Sequence, residues 1–363
     1  MSEAPRSGPG ATADVAPRGG GRRWPAEWER HRATWLAWPH KEASWPGRFE
    51  HIPAIFVEMV RALVAGERVE ILVRDDTDAA SVGALLEAAQ VPAAGVRLHR
   101  IPTDDAWIRD HGPTFVVDGS RSALAAVTWG YNAWGGKYPP WDQDAQVAPR
   151  IADVLGVARL EGGMVLEGGS IDGDGDGTLL TTEACLLNPN RNPTLSRAEI
   201  EDRLRSFLGI ERILWLGEGI AGDDTDGHVD DLTRFVAPGV VVTVVEEEPA
   251  DENHAALADN LRRLETMVDA RGRRLSVISL PMPAPVVWEG HRLPASYANF
   301  YVANAVVLMP AFGDPRDRQA HEILAGVFPG RRVVPIPARD LVWGLGACHC
   351  LTQQEPAVPG GAT

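Results

Sequence analysis

Two thiols, Cys348 and Cys350, flank His349 in the segment WGLGACHCLTQQEP of this 363-residue chain. Glycines beside them let the backbone approach a ligand closely, which makes a thiol there a candidate nucleophile. Two small residues at a tight bend are the plainer reading. Zinc would need four ligands, and Cys348, His349 and Cys350 have no second cysteine pair to complete a site. The third cysteine, Cys185, lies in the apolar run EACLLNPN and reads as a buried structural thiol. A second cluster is GDDTDGHVDD, residues 222–231. If it is extended, His228 and Asp230 project to one face, because side chains alternate along a strand. That spacing fits an acid/base histidine beside an anion that holds a positive group. It fits a pair of metal ligands or a solvated acidic turn equally well.

Two further segments carry groups of the same kind. In DDAWIRDHGPTF, Trp107 and Asp110 precede a Gly-Pro turn; a surface Arg109–Asp110 turn above a core tryptophan is the alternative. In LEGGSID, Glu167 stands before two glycines, where a carboxylate could orient a histidine or merely flank a turn. Residues 172–183, DGDGDGTLLTTE, match the EF-hand calcium loop at Asp172, Asp174, Asp176, Gly177 and Glu183. An EF-hand needs a helix on each side, whereas MVLEGGSI and TLLTT are strand-like. A β-hairpin with an acidic, Gly-rich turn is expected instead.

The elements that must position these groups alternate along the chain. Strands are expected at 33–38, 68–74, 123–129, 177–182, 240–245, 304–312 and 331–338. Helices are expected at 52–66, 81–90, 196–209 and 254–270, and Ser196 with Glu199 forms a capping box at the start of the third. Strand–helix alternation throughout implies an α/β architecture. Residues 1–23, rich in Gly, Ala, Pro and Arg, read as a disordered tail, as do residues 357–363. Between them, residues 24–356 read as a single domain anchored first by Trp24 and Trp28. No GxGxxG or GxxxxGK[ST] loop follows the first strand, which weakens any nucleotide-binding reading. The polar clusters at several strand ends suggest one site assembled from distant segments.

With 35 basic and 50 acidic side chains, the net charge is −15. Such a chain offers no basic face for nucleic acid, and it is compatible with a cationic ligand. Three cysteines cannot form a disulfide framework, and no apolar run reaches membrane-spanning length. No secretion signal opens the chain, so a cytoplasmic protein is expected.

Taken together, PAEWERHRATWLAWPH, DDAWIRDHGPTF, WGYNAWGGKY, LEGGSIDGDGDGTLLTTEACLLNPNRNP, DDTDGHVDD, ASYANFYVANAVVLMPAFGDP and CHCLTQQEP resemble the agmatine deiminase family and its porphyromonad-type peptidylarginine deiminase relatives. The resemblance runs from about Trp24 to Pro356. It implies a five-bladed α/β propeller, the pentein fold, built of ββαβ units around a central site. It also implies hydrolysis of a guanidinium to a ureido group and ammonia, with no metal or organic cofactor. The substrate would be a small cationic guanidino compound, agmatine yielding N-carbamoylputrescine. Peptidylarginine or another guanidine, or transfer of the amidine to an amine, are the alternatives. Relatives are often homodimers or larger.

Carried over by position, the resemblance implies Cys350 as nucleophile and His228 as general acid/base. Asp110 and Asp230 would clamp the guanidinium, and Glu167 would hydrogen-bond and orient His228. Asp224 matches an agmatine-contacting position, and Trp107 would wall the substrate channel. The chain departs from the family's usual GGGNxHC: Leu345 and Ala347 stand where a Gly and an Asn are usual, and Cys348 adds a thiol. Asp231 stands where Asn is usual, and PMPAPVVWEGHRLP is shorter than in typical agmatine enzymes.

Overall fold

The computed structural model describes residues 21–120 and 122–358. Strands β1 (His31–Ala37), β2 (Arg68–Val73) and β3 (Val96–Arg100) are parallel, joined by the helices Ile52–Leu63 and Asp76–Ala88. Next come β4 (Thr114–Val117) and β5 (Leu124–Gly130), antiparallel, then the helix Val147–Leu155 and β6 (Ala158–Val165), parallel to β5. The plan repeats in β7 (Asp172–Gly173), β8 (Thr178–Thr182), the helix Arg197–Leu208 and β9 (Arg212–Leu216). It repeats again in β10 (Thr233–Ala237), β11 (Val240–Val245), the helix His254–Thr266 and β12 (Ser276–Pro281). A small hairpin, β13 (Val287–Trp288) and β14 (His291–Arg292), intervenes. The last repeat holds β15 (Tyr301–Val302), β16 (Val306–Ala311), the helix Arg316–Val327 and β17 (Arg332–Pro337). Finally β18 (Gln353–Pro356) pairs antiparallel with β1, so the first sheet repeats the antiparallel-then-parallel order of the others with a fourth strand, β3, added.

The protein is thus a mixed α/β fold with five sheets of one plan among the described residues. The plan follows from chain physics. An antiparallel partner is reached by a short turn, whereas a parallel one needs a crossover long enough to hold a helix. The middle strands β8, β11 and β16 have sheet neighbours on both sides and are buried along most of their length. Their near-continuous apolar runs, such as VVVTVV in β11, are what such burial selects.

The expected strands and helices are all present, with shifted ends. Asp75 accepts hydrogen bonds from the backbone N–H groups of Thr77 and Asp78, so the second helix starts at Asp76 rather than 81. The helix expected at 254–270 stops at Thr266, because Val268 bridges Arg274. Ser196 forms the expected capping box with Glu199. Residues 1–20 and 359–363, most of the two expected tails, lie outside the described residues. Arg23, assigned to the first tail by sequence, instead exchanges both backbone hydrogen bonds with Val117. Ala357, assigned to the second, donates to the Arg30 carbonyl.

The acidic loop forms the expected hairpin between β7 and β8, and its carboxylates are committed elsewhere. Asp172 pairs with Arg234, Asp174 caps its own turn, Asp176 pairs with Arg271 and Arg273, and Glu183 pairs with Arg197 and Arg263. These side chains do not converge on a common cation.

Candidate active site

In each repeat, the residues just before the antiparallel outer strand reach one shared place. The one-turn helix Ile108–His111 before β4 carries Asp110. Glu167 and the turn Gly168–Ser170 precede β7; His228 and the turn Val229–Asp231 precede β10. Asn299 precedes β15, and His349 and Cys350 precede β18. Gly169 marks the convergence. A Cβ there would lie 2.6 Å from His228 Nδ1, 2.9 Å from Asp110 Oδ1 and 3.0 Å from Asp230 Oδ2. No side chain fits, so the EGG segment needs its second glycine at this point. Its N–H donates to Asp110 Oδ1 at 2.9 Å, while Trp134 Nε1 donates to Asp110 Oδ2 at 2.9 Å.

The nucleophile candidate is held by three different repeats. Asn299 Nδ2 donates to Cys350 Sγ at 3.1 Å and to Asp231 Oδ1 at 3.0 Å. Its Oδ1 accepts from the His349 N–H at 3.0 Å. Cys350 Sγ lies 3.6 Å from Asp230 Oδ2. His228 Nδ1 stands 3.8 Å from Asp110 Oδ1 and 4.0 Å from Asp230 Oδ1. Both His228 ring nitrogens and Asp230 Oδ1 are buried with no hydrogen-bond partner among the described residues. Buried polar atoms are normally paired, and three unpaired ones at one point mark a place built for a polar ligand.

Electrostatics follow from burying several carboxylates together. Burial, then the charges of Asp230 and Glu167, pushes the Asp110 carboxyl well above its ordinary range. Burial and the charges of Asp230 and Asp223 do the same to Asp231. Burial raises Glu167 despite the Arg191 guanidinium beside it. Burial, then Asp230, Asp231 and Asp110, holds the Cys350 thiol far up as well. Burial lowers His228 to about 3, outweighing the pull of Asp230. Asp230 is the exception. Burial acts to raise it, yet the His349 hydrogen bond and the charges of His349, His228 and Arg234 carry it below the ordinary value.

A cavity of about 430 Å³ descends to Asp110 and Cys350, walled by Trp107, Trp134, Tyr138, Trp288, Trp343 and Leu345. His228, Asp230 and Glu167 lie behind its floor, fully buried. Trp107 stacks on Trp45 with centroids 5.3 Å apart and presses on the GLG loop. A Cβ on Gly346 would come within 2.6 Å of the Trp107 ring and 3.2 Å of Cys350 Sγ. Between the two glycines, Leu345 adopts φ +70°, a conformation that favours glycine.

The structure brings Cys350, His228, Asp110 and Asp230 together, with Trp107 along the cavity wall as expected. One expected contact differs. Glu167 makes no hydrogen bond to His228: its Oε1 accepts from Arg191 Nε at 2.6 Å, and Arg191 is held in turn by Asp226 and the Thr225 carbonyl. A buried guanidinium is a stronger partner for that oxygen than a neutral imidazole. Asp224 lines the cavity wall, with Oδ1 3.1 Å from Lys137 Nζ and Oδ2 accepting from the Tyr138 hydroxyl. Asn299, Trp134 and Arg191 carry no sequence signal of their own, and His349 reads there only as an incomplete zinc ligand. Each lies within a quoted marker segment, but their roles rest on partners far away in the chain.

Among the described residues, one group has metal-ligand geometry: atoms of Glu167, Cys185 and His228 lie within 4.8 Å of one another. It is one ligand short of a tetrahedral zinc site, and the Arg191 guanidinium bonded to Glu167 sets a fixed positive charge beside it. Cys348 is buried in the main apolar core, and burial pushes its thiol up, so it fills space there.

Over residues 23–356 the chain matches the sequence pattern of the Porphyromonas-type peptidyl-arginine deiminase family. An agmatine deiminase of Ectopseudomonas mendocina is 42% identical over 373 residues, covering 96% of this chain and 99% of that protein. One from Pseudomonas aeruginosa is 42% identical over 365 residues, covering 94% and 97%. Among solved structures, an agmatine deiminase of Enterococcus faecalis superposes with TM-score 0.86 at 35% identity, over 93% of this chain and 96% of that one. An agmatine deiminase of C. jejuni with substrate bound superposes with TM-score 0.84 at 28% identity, over 93% and 97%. With its site residues gathered at one point and its sequence pattern matched over nearly the whole described fold, the chain belongs to the Porphyromonas-type peptidyl-arginine deiminase family.

Proposed function

We infer that the chain hydrolyses the guanidinium of agmatine to give N-carbamoylputrescine and ammonia. The observation that carries this reading is that Asp110 and Cys350 close the end of an aromatic cavity with Asp230 and His228 directly behind them. The choice of agmatine follows relatives of that name aligned over almost their full length.

A guanidinium is planar and always charged, so two carboxylates along its edges hold its plane and its rotation. Its positive charge favours ionised Asp110 and the Cys350 thiolate, both of which burial among carboxylates disfavours. In this mechanism Sγ attacks the guanidinium carbon and a C–S bond forms. The thiol proton passes through His228 to the departing nitrogen, and the C–N bond breaks with release of ammonia. Water then adds to the amidino-cysteine, giving up a proton to His228. The C–S bond breaks, the thiol is restored, and the ureido product leaves. Glu167, within 4.8 Å of His228, stabilises the protonated ring. Trp107 walls the aliphatic chain, and Asp224 faces the distal ammonium from the rim.

We also read residues 24–356 as one catalytic domain whose five repeats are blades around this site, a five-bladed pentein propeller. The support is a common strand order, the β18–β1 pairing and one contributing segment per repeat.

The test is ammonia release from agmatine with reductant and chelator present, beside Cys350→Ala. The variant should lose roughly 10⁴-fold or more of kcat. Activity that survives the substitution overturns the thiol mechanism. A silent wild type overturns agmatine as substrate and directs the assay to arginine and peptidylarginine.

A further inference from the structure

His349 is fully enclosed, and both of its ring nitrogens meet carboxylates. Nδ1 lies 2.6 Å from Asp230 Oδ2 and Nε2 lies 2.8 Å from Glu27 Oε2. Glu27 and Asp230 are both held below the ordinary carboxylate range against the effect of burial, Glu27 by Arg234, His349 and Arg109. A carboxylate oxygen lies within hydrogen-bonding distance of each ring nitrogen, so both nitrogens donate and the ring bridges the two as an imidazolium. Beneath it lies a buried charge network. Glu27 also pairs with Arg234 at 2.9 Å and Arg109 at 3.3 Å, and Arg234 pairs with Asp172 at 2.5 Å. Three anions, Glu27, Asp172 and Asp230, face three cations, Arg109, Arg234 and His349. They are drawn from segments next to different sheets.

We propose that His349 is a positioning residue: an imidazolium bridge that ties Asp230 to Glu27 and sets the Asp230 carboxylate, ionised, beside Cys350. The inference rests on the reading of Asp110 and Asp230 as a guanidinium clamp. Removing one partner of a buried pair leaves the other charge uncompensated, so the cost falls on Asp230. Asp230 then comes under the same pressure as Asp110 and Asp231, taking up a proton and losing its place. The charged groups around the bridge are Asp230, Glu27, Arg109, Arg234, Asp110, Asp231 and His228. Of these, the hydrogen bond from His349 is the one direct donor contact to Asp230 Oδ2 from an ionisable nitrogen. Asp230 Oδ1 stays unpartnered and free to face the cation.

The experiment uses Cys350→Ser protein, in which binding is read without turnover, titrated calorimetrically with agmatine and with guanidinium chloride between pH 5.5 and 8.5. Adding His349→Gln keeps a donor but removes the charge. Both ligands should bind roughly tenfold more weakly at pH 7, with the pH midpoint for binding raised by about one unit. Unchanged affinity and midpoint, or a uniform loss with no midpoint shift, overturn the proposal. If His349→Gln does not fold, ¹⁵N-histidine NMR of the Cys350→Ser protein decides. Both His349 nitrogens should carry a proton in the folded protein, and a neutral ring overturns the bridge. Binding of guanidinium but not agmatine counts against agmatine as substrate and leaves this test intact. Binding of neither removes the clamp and the proposal with it.

Discussion

The floor and the mouth of the cavity are built on different rules. At the floor, Asp110, Asp230 and Cys350 are held by bonds that cross between repeats: Gly169 to Asp110, Asn299 to Cys350, His349 to Asp230. At the mouth, Trp288 comes from the small β13–β14 hairpin and Leu345 from a loop in a left-handed conformation. Lys137, Tyr138 and Asp224 satisfy one another there. The floor is therefore over-determined and suited to one reacting group. The mouth is a set of local choices that can change without disturbing it. Of the positions where the sequence departs from the pattern it resembles, Leu345 and the segment around Trp288 fall at the mouth, whereas Asp231 lies at the floor, bonded to Asn299. Chemistry and tail selectivity are thus separable in this molecule.

Substitutions should split along that line. Gly169→Ala forces a methyl between His228, Asp110 and Asp230, and kcat should fall by roughly a hundredfold, with Tm lowered by about a few degrees. If kcat holds, the floor is more pliant than these distances require. The pH dependence of KM addresses the same region. Asp110 has a raised pKa and must ionise to hold a cation, so each bound cation displaces a proton. KM for agmatine should therefore rise as pH falls below that pKa, by up to about tenfold per unit. A KM that stays flat as the pH is lowered would contradict a raised Asp110 pKa. At the mouth, Trp288→Ala should raise KM for agmatine about fivefold and leave kcat within about twofold. An equal loss in kcat would mean that the mouth also orients the reacting group. Leu345→Gly relieves the left-handed strain while removing an apolar wall. Tm should move by less than about 2 °C, and any kinetic change should lie in KM.

Much of the frame is legible in the sequence because its signals are local. VVVTVV and TLLTT are continuous apolar runs, and Ser196 with Glu199 caps its own helix. The helix Arg316–Val327 went unnoticed because only Ala320 and Leu324 are buried, too few to set a period. Helix Val147–Leu155 was likewise missed, with a proline inside its first turn. Cys350, His228, Asp110 and Asp230 were identified through the family resemblance; spacing alone left three readings open for His228 and Asp230. What the sequence hides is pairing at long range. Nothing near Glu167 announces that Arg191, at the far end of the same marker segment, will take its Oε1. Nothing near His349 points to Glu27, more than three hundred positions away.

One segment from each repeat reaching a common point makes catalysis a conjunction. Local opening of any one sheet withdraws Asp110, Glu167, His228, Asn299 or Cys350, and no subset retains clamp, acid/base and thiol together. Sub-global openings differ in free energy across a protein, and hydrogen exchange resolves them. Under mild denaturant, turnover will therefore fade with the least stable of the five repeats, before the far-UV signal of the remaining four has changed.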